Sequence, residues 1–223
     1  MGGVTAPHAP WAMSGEGFGA LARVGRTSVG LPSGLHRLPG PAVVAAASYT
    51  DSPVGPYREL LVAIPARLGP RPGLCVTTMV VDSPACRIGG RLNWGFPKEL
   101  GTLIWEADGE ERQLRWVERG LVVRARFARA ALPVLLPMPN LQRRADGPVL
   151  VPVRARGRGH LARLDVETAE GDPLAWLAGS HRGLVVAGLR LVISPARVRS
   201  GLTSTLRAPA QAPEPALTRS LVR

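Results

Sequence analysis

The chain has 223 residues, which is enough for one good-sized domain and cramped for two. Its hydrophobic fraction of 45% and charged fraction of 20% are globular values and exclude a largely disordered protein. The formal net charge of +12 invites a nucleic-acid interpretation, but aromatic residues make up only 4%, so a base-stacking surface is poorly supplied.

The first half of the chain is predicted to contain several strands and one helix. Residues 1–9 are expected to form a loose leader. Ser83 followed by Pro84 predicts a helix over 83–92, because serine caps helix N-termini and proline is tolerated in the first turn. The predicted strands here are 14–25, 40–50, 57–68 and 73–82.

The second half is predicted to be strands joined by short turns, followed by a disordered tail over 200–223. Its predicted strands are 101–107, 112–118, 120–127, 149–156, 160–168 and 183–194. Roughly ten short strands predict a mainly β fold over residues 10–199: a single-domain antiparallel β-barrel around an apolar cavity, with few short helices.

Arginines alternate with small or apolar residues in two of these strands. Arg154, Arg156 and Arg158 follow a period of two, and so do Arg124 and Arg126. That period is typical of the solvated face of a strand. We therefore interpret the positive charge as dispersed on strand surfaces and expect no nucleic-acid partner.

The sequence lacks the motifs that are typical of membrane proteins, secreted proteins and metal sites. No apolar run approaches the roughly 20 residues that a membrane helix needs, and no secretory leader is recognisable, so we expect a cytoplasmic protein without a membrane partner. Cys75 and Cys86 form no C-x-x-C motif and are interpreted as small buried residues or bystanders. His160 and His181 have no partners at ligand spacing, so no metal site is expected.

The segment GGRLNWGFPKEL, residues 89–100, contains the only lysine of the chain, Lys98, whereas the other basic residues are all arginine. An average lysine is a surface residue, but this one follows an apolar run from Trp94 to Pro97. Lysine can lose its proton and attack a carbonyl to form an imine, which arginine cannot do because it stays charged. Lys98 is therefore the candidate nucleophile.

Two separated segments, SPVGPYREL and MVVDSPACRIGGRLNWGFPKEL, resemble the acetoacetate decarboxylase superfamily, and the resemblance is strongest over residues 49–106. It implies a β-barrel around a hydrophobic cavity, a Schiff-base lysine at Lys98 and a facing glutamate at Glu59. It also implies a cofactor-independent carbon–carbon lyase acting on a small keto acid or ketone. In that family a second lysine follows the first, and here that position is Glu99.

Four further residues are candidates for the site, of which Arg91 matches an arginine of the family. Arg91 is a candidate substrate contact that could equally be a structural ion-pair partner, and Tyr57, Trp94 and Phe96 are candidate cavity-lining residues that core packing explains equally well. Two alternatives remain open: a non-catalytic small-molecule-binding barrel, and an aldolase-dehydratase using the same lysine. A homo-oligomer is compatible with either.

For catalysis, the pKa of Lys98 is expected to be lowered by burial, because an apolar cavity penalises the charged amine. The adjacent Glu99 would act in the opposite direction if it entered the same cavity. We therefore expect the two side chains to diverge, Lys98 inward and Glu99 towards solvent.

Overall fold

The structure is a computed structural model that describes residues 6–24 and 29–198. Within these ranges it contains one α-helix, two short 3-10 turns (Val117–Arg119 and Ala175–Leu177) and twelve strands. The bounds are β1 Trp11–Ala22, β2 His36–Arg37, β3 Ala42–Asp51, β4 Tyr57–Leu68, β5 Arg71–Val81, α1 Pro84–Trp94, β6 Lys98–Leu100, β7 Leu103–Asp108, β8 Glu111–Trp116, β9 Leu121–Arg144, β10 Gly147–Glu167, β11 Gly179–Ile193 and β12 Arg197–Val198.

All strands belong to one sheet with the order β12-β10-β11-β1-β3-β4-β5-β9-β8-β7, while β2 pairs with β4 and β6 with β5. A further pairing of β9 with β10 connects distant parts of this order into a ring. Most pairings are antiparallel, but β5 pairs in parallel with both β6 and β9. The prediction of a mainly β fold with little helix is confirmed, and the parallel pairings depart from a purely antiparallel sheet.

Strand β4 is buried on both faces over most of its length. Along β4, Tyr57 and Ala63 belong to one cluster of buried apolar residues, whereas Leu60 and Val62 belong to another. Successive side chains of a strand point to opposite faces, so the two clusters lie on the two sides of the sheet. The site described below lies on the Tyr57 side.

The longest strands were predicted incompletely. The predicted strands 149–156 and 160–168 are parts of β10, which continues through register shifts near Arg156 and His160. Residues 128–144, assigned to no predicted element, continue β9.

Three prolines explain the missing part of β9, because proline cannot donate to a β ladder. Pro133, Pro137 and Pro139 occupy alternate positions, so their nitrogens face the same way. Between residues 128 and 139, β9 is paired on one side only, with β10. The prolines therefore fit where the missing N–H faces an unpaired edge.

The ends of the chain are described in part. Of the predicted leader, residues 6–9 are described, and the carbonyl of Pro7 accepts hydrogen bonds from Trp11 Nε1 at 3.0 Å and Asn93 Nδ2 at 2.9 Å. The predicted tail, 200–223, lies outside the described residues. Among the described helices, none is long and apolar enough to cross a bilayer.

Candidate active site

Helix α1 and the segment after it bring Lys98 to the inner face of the sheet. Ser83 caps α1 by accepting a hydrogen bond from the backbone N–H of Cys86 at 3.2 Å, as the sequence predicted. Gly95 ends the helix in the left-handed conformation, with φ of 74°, which favours glycine. The chain then turns back, and β6 begins at Lys98 beside Met79 of β5.

Lys98 is buried against a carboxylate. Its side chain is 1% exposed, and Nζ donates a hydrogen bond to Oε2 of Glu59 at 2.6 Å. Glu59 is 8% exposed and comes from β4, where it lies opposite Val81 of β5. Neighbouring residues of paired strands face the same way, so Glu59 and Lys98 meet on one face of the sheet. The structure brings together the two residues matched to the family's catalytic pair.

A third group contacts the amine. Sγ of Cys86 accepts a hydrogen bond from Lys98 Nζ at 3.1 Å, and Cys86 is fully buried. Burial was one of the two interpretations that the sequence offered for Cys86, and the structure bears it out. The contact with the amine was not predicted, because no local motif marks it.

Gly90 makes space for the lysine side chain. A Cβ atom at this position would lie 2.5 Å from both Cδ and Cε of Lys98, closer than atoms pack without displacement. The neighbouring Gly89 has a different role, because a Cβ there would meet the ring of Trp11. The two glycines of the GGR segment thus let α1 pack closely against two different side chains.

The electrostatics of Lys98 differ from expectation. Desolvation lowers the pKa of Lys98, but the attraction of Glu59, together with Cys86, outweighs it and raises the pKa above its ordinary value. The expected lowering of this pKa is therefore wrong. The reason is the short contact with Glu59, because a nearby negative charge stabilises the charged form of the amine.

The neighbour in sequence, Glu99, behaves as expected. Lys98 is buried, whereas Glu99 is exposed and points to the opposite side of the strand. The carboxylate that raises the pKa of Lys98 is Glu59 and not Glu99.

Two tyrosines lie beside the amine. The ring centroid of Tyr57 is 5.5 Å from Lys98 Nζ, and its hydroxyl donates a hydrogen bond to Sδ of Met13 at 3.1 Å. The ring of Tyr49 lies 4.8 Å from that of Tyr57. Burial raises the pKa of both hydroxyls well above the ordinary value, and the charge of Glu59 adds to this, so both stay neutral at physiological pH.

Tyr49 and Tyr57 also line a surface pocket of about 330 Å³. The other lining residues are Ser48, Thr50, Pro56, Arg58 and Asp82. Tyr57 thus borders both this pocket and the amine.

The remaining predicted site residues, Trp94, Phe96 and Arg91, form no hydrogen bond with Lys98 Nζ. Trp94 donates a hydrogen bond from Nε1 to the carbonyl of Ser194 at 2.8 Å, and its ring packs near Trp11 and Phe96. Phe96 is buried in the same cluster. Arg91 is exposed in the last turn of α1, away from the buried side of the helix that carries Gly90.

The sequence model of the acetoacetate decarboxylase family matches residues 5–143, more than half of the chain. The chain belongs to this family. The prediction drawn from the two sequence segments is thereby confirmed. Among curated protein sequences, none matches significantly.

Solved structures show the same fold. The acetoacetate decarboxylase from Legionella pneumophila is 18% identical, with a TM-score of 0.65 over 88% of this chain and 89% of that one. The enduracididine biosynthesis enzyme MppR complexed with pyruvate is 18% identical, with a TM-score of 0.66 over 86% and 90%. An acetoacetate decarboxylase-like enzyme from Sphingomonas wittichii RW1 is 16% identical, with a TM-score of 0.62 over 86% and 93%.

Proposed function

We propose that this protein is an imine-forming enzyme of the acetoacetate decarboxylase type, acting on a small keto acid or ketone through Lys98. The observation that carries the proposal is the buried contact between Lys98 Nζ and Glu59 Oε2 at 2.6 Å. It joins the only lysine of the chain to the glutamate that the family resemblance pairs with it. Such a pair is suited to imine chemistry because one group is the nucleophile and the other handles its proton.

The reaction begins with a proton transfer. The ammonium of Lys98 gives one proton to Glu59, which leaves a neutral amine and a carboxylic acid. The amine attacks the carbonyl carbon of the substrate, and a carbinolamine forms. Glu59 returns a proton to the departing oxygen, which leaves as water, and an iminium remains on Nζ.

The iminium then accepts electrons. In a β-keto acid, the bond to the carboxylate breaks and carbon dioxide leaves, while its electron pair moves into the iminium as an enamine. Protonation of the enamine and hydrolysis by water release the ketone and restore the amine. Lys98 and Glu59 suffice for these steps.

The raised pKa of Lys98 places a condition on this mechanism. Beside Glu59 the amine is charged, so binding of substrate must displace the amine from the carboxylate or accompany proton transfer to Glu59. We infer that the substrate enters through the pocket beside Tyr49 and Tyr57, because Tyr57 borders both that pocket and the amine. Movement of the Tyr57 ring would connect the two.

Two alternatives are each favoured by a particular observation. The raised pKa and 1% exposure of Lys98 favour a ligand-binding protein that keeps the fold without the reaction. An aldolase-dehydratase is favoured by the likeness to MppR, which has also been solved with the condensation product of pyruvate and imidazole 4-carboxaldehyde. That enzyme is 18% identical to this chain, so the likeness concerns the fold.

The proposal is tested by reductive trapping. The protein is incubated with acetoacetate, pyruvate and a panel of simple ketones, reduced with borohydride, digested and mapped by mass spectrometry. We expect the ligand mass on the peptide containing Lys98. The single lysine makes this map simple, since the α-amino group is the other primary amine and lies on a different peptide.

Two variants complete the experiment. Lys98→Arg keeps the charge and removes the capacity to form an imine, so trapping and turnover should both be lost while the fold persists. Glu59→Gln should reduce turnover but still permit some trapping, because it alters proton handling and leaves the nucleophile. Wild-type protein that is trapped by no member of the panel, yet still binds one of them, would favour the ligand-binding alternative.

A further inference from the structure

The environment of Lys98 Nζ restricts the directions from which a substrate can reach it. An amine nitrogen has four tetrahedral directions, and its own Cε occupies one. Oε2 of Glu59 lies in a second at 2.6 Å, and Sγ of Cys86 lies in a third at 3.1 Å. The ring of Tyr57, with its centroid 5.5 Å from Nζ, also faces the amine.

We propose that Cys86 is a positioning residue: it accepts one N–H bond of Lys98 and so fixes the rotation of the amine about its Cε–Nζ bond while the N–H that faces Glu59 gives up its proton. This rests on the proposed function of Lys98 as the nucleophile. A neutral amine has two hydrogens and one lone pair. The proton given to Glu59 leaves the lone pair on the side of that carboxylic acid, and the hydrogen bond to Cys86 keeps it there, where the substrate carbonyl must meet it.

The sulfur suits this role because it orients the amine without trapping its proton. Burial raises the pKa of the Cys86 thiol, so the group is neutral, and a neutral sulfur is a weak acceptor. The groups facing the amine are Glu59 and Tyr57 from β4 and Cys86 from α1, with Tyr49 of β3 behind Tyr57. Both tyrosines stay neutral at physiological pH, so Glu59 is the charged neighbour in this set.

The position of the sulfur is built into the helix. Cys86 lies in the first turn of α1, and its backbone N–H is held by the Ser83 cap at 3.2 Å. Gly90, one turn later, admits the lysine stem against the same face of the helix. Helix α1 therefore contacts both the aliphatic part of the Lys98 side chain, through Gly90, and its amine, through Cys86.

The test compares Cys86→Ala and Cys86→Ser with Cys75→Ala, a matched control. Cys75 is equally buried, but its sulfur approaches the carbonyl of Val76 at 3.8 Å and makes no hydrogen bond to Lys98. The rate of borohydride-dependent labelling by acetoacetate or pyruvate is measured against pH. Selective isotope labelling of lysine adds a second readout, because it gives a single Nζ resonance whose titration follows Lys98 alone.

In Cys86→Ala we expect the inflection of the pH profile and the Nζ titration to move to lower pH, because the charged amine loses an acceptor. The labelling rate on the high-pH plateau should nevertheless fall about tenfold, the equivalent of one hydrogen bond. A purely structural role would not separate these two effects. Cys86→Ser supplies an oxygen acceptor and should restore most of the plateau rate, while Cys75→Ala should match wild type in both readouts.

The proposal is overturned if Cys86→Ala behaves like Cys75→Ala in both readouts, or if Cys86→Ser fails to restore the plateau rate in folded protein. If Cys86→Ala does not fold, the test rests on Cys86→Ser alone. We then expect its plateau labelling rate to be near that of the wild-type protein. If no ketone labels the wild-type protein, the proposed function of Lys98 fails. The positioning contact is then judged by the Nζ titration, and an unchanged titration in Cys86→Ala overturns it.

Discussion

Two ion pairs of similar geometry lie in contrasting parts of the molecule. The Lys98–Glu59 pair has a separation of 2.6 Å, and its side chains are 1% and 8% exposed. The Arg126–Glu111 pair joins β9 to β8 at 3.0 Å, and its side chains are 63% and 39% exposed. A surface pair is weakened by water and salt, whereas a buried pair leaves a desolvated charge behind if one partner is lost.

This contrast explains why one lysine differs from the arginines around it. Arg124 and Arg126 of β9 pair with acidic residues on the neighbouring strands β8 and β10, and a fixed positive charge is all that these contacts need. At the buried site the proposed imine chemistry requires an ammonium group that can lose its proton, which arginine does not do. The contrast therefore predicts large effects at one pair and small effects at the other.

The largest effect on stability is expected for the neutralisation of Glu59. Glu59→Gln leaves the ammonium of Lys98 buried without its counter-ion, which should lower the free energy of unfolding by about 3–5 kcal/mol. The matched change on the surface, Glu111→Gln, should alter the free energy of unfolding by little more than the error of the measurement. Urea unfolding of both variants at pH 7 measures the difference, and similar losses in the two would remove the distinction between the pairs.

The sequence was sufficient to single out the two residues of the buried pair. The resemblance identified Lys98 and Glu59, and the structure places them in contact. The raised pKa of Lys98 was missed, since it depends on a distance between two residues that lie 39 positions apart. Cys86 was missed for a related reason: a cysteine without a spaced partner has no motif, and its contact arises from the packing of α1 on β6.

The fold was also predictable in part. Alternating segments gave the strands flanking the site, and the Ser83–Pro84 start of α1 was recognisable. The extension of β9 was missed because its prolines break the local strand signal, and only the pairing partner shows that their edge is unpaired. Local sequence patterns thus predicted the elements that depend on neighbouring residues. They failed for the second half of β9, where pairing with β10 determines whether a strand forms.

A second large effect is expected in alkaline solution, where buried groups titrate and surface arginines do not. Burial raises the pKa of Cys75 from 9.0 to about 12, and the pKa values of Tyr49, Tyr57 and Lys98 are also raised. The unfolded chain therefore releases these protons at lower pH than the folded protein, so the unfolded state binds fewer protons. The free energy of unfolding must then fall as pH rises above about 9.

Cys75 allows this effect to be isolated. Its shift alone is equivalent to about 4 kcal/mol between pH 9 and 12, as an order of magnitude. Cys75→Ala should be less stable than wild type at pH 8 because it loses buried volume, and should lose stability more slowly as pH rises. Guanidinium unfolding under reducing conditions from pH 8 to 11 measures both slopes. Parallel slopes would show that the thiol titrates similarly in the folded and unfolded states.

A smaller effect is expected from the glycines of α1. Gly90→Ala places a methyl group against the stem of Lys98, and Gly89→Ala places one against the ring of Trp11. Each change should cost about 1–3 kcal/mol of folding stability by overpacking. Only Gly90→Ala should also slow borohydride-dependent labelling of Lys98, since only that change displaces the amine. Equal labelling in the two variants would show that the lysine stem adjusts freely.

The smallest effect is expected from a group of exposed arginines on β10 and β11. Arg154, Arg156 and Arg158 are exposed on β10 between buried or half-buried neighbours, as their period predicted, and Arg190 lies opposite Arg156 on β11. No salt bridge involves these four among the described residues. Like charges on adjacent strands repel, yet in water and salt that repulsion is weak.

We predict that this arginine face is a solvated surface and binds no nucleic acid specifically. Anisotropy titrations with a labelled DNA duplex and a labelled RNA strand, near physiological salt, should give dissociation constants weaker than about a micromolar, which is the range of non-specific binding. The triple variant R154S/R156S/R158S should bind no differently and should keep the labelling rate of Lys98. A tighter affinity that falls steeply with salt and disappears in the triple variant would mean that surface arginines, and not only the buried lysine, have a specific partner.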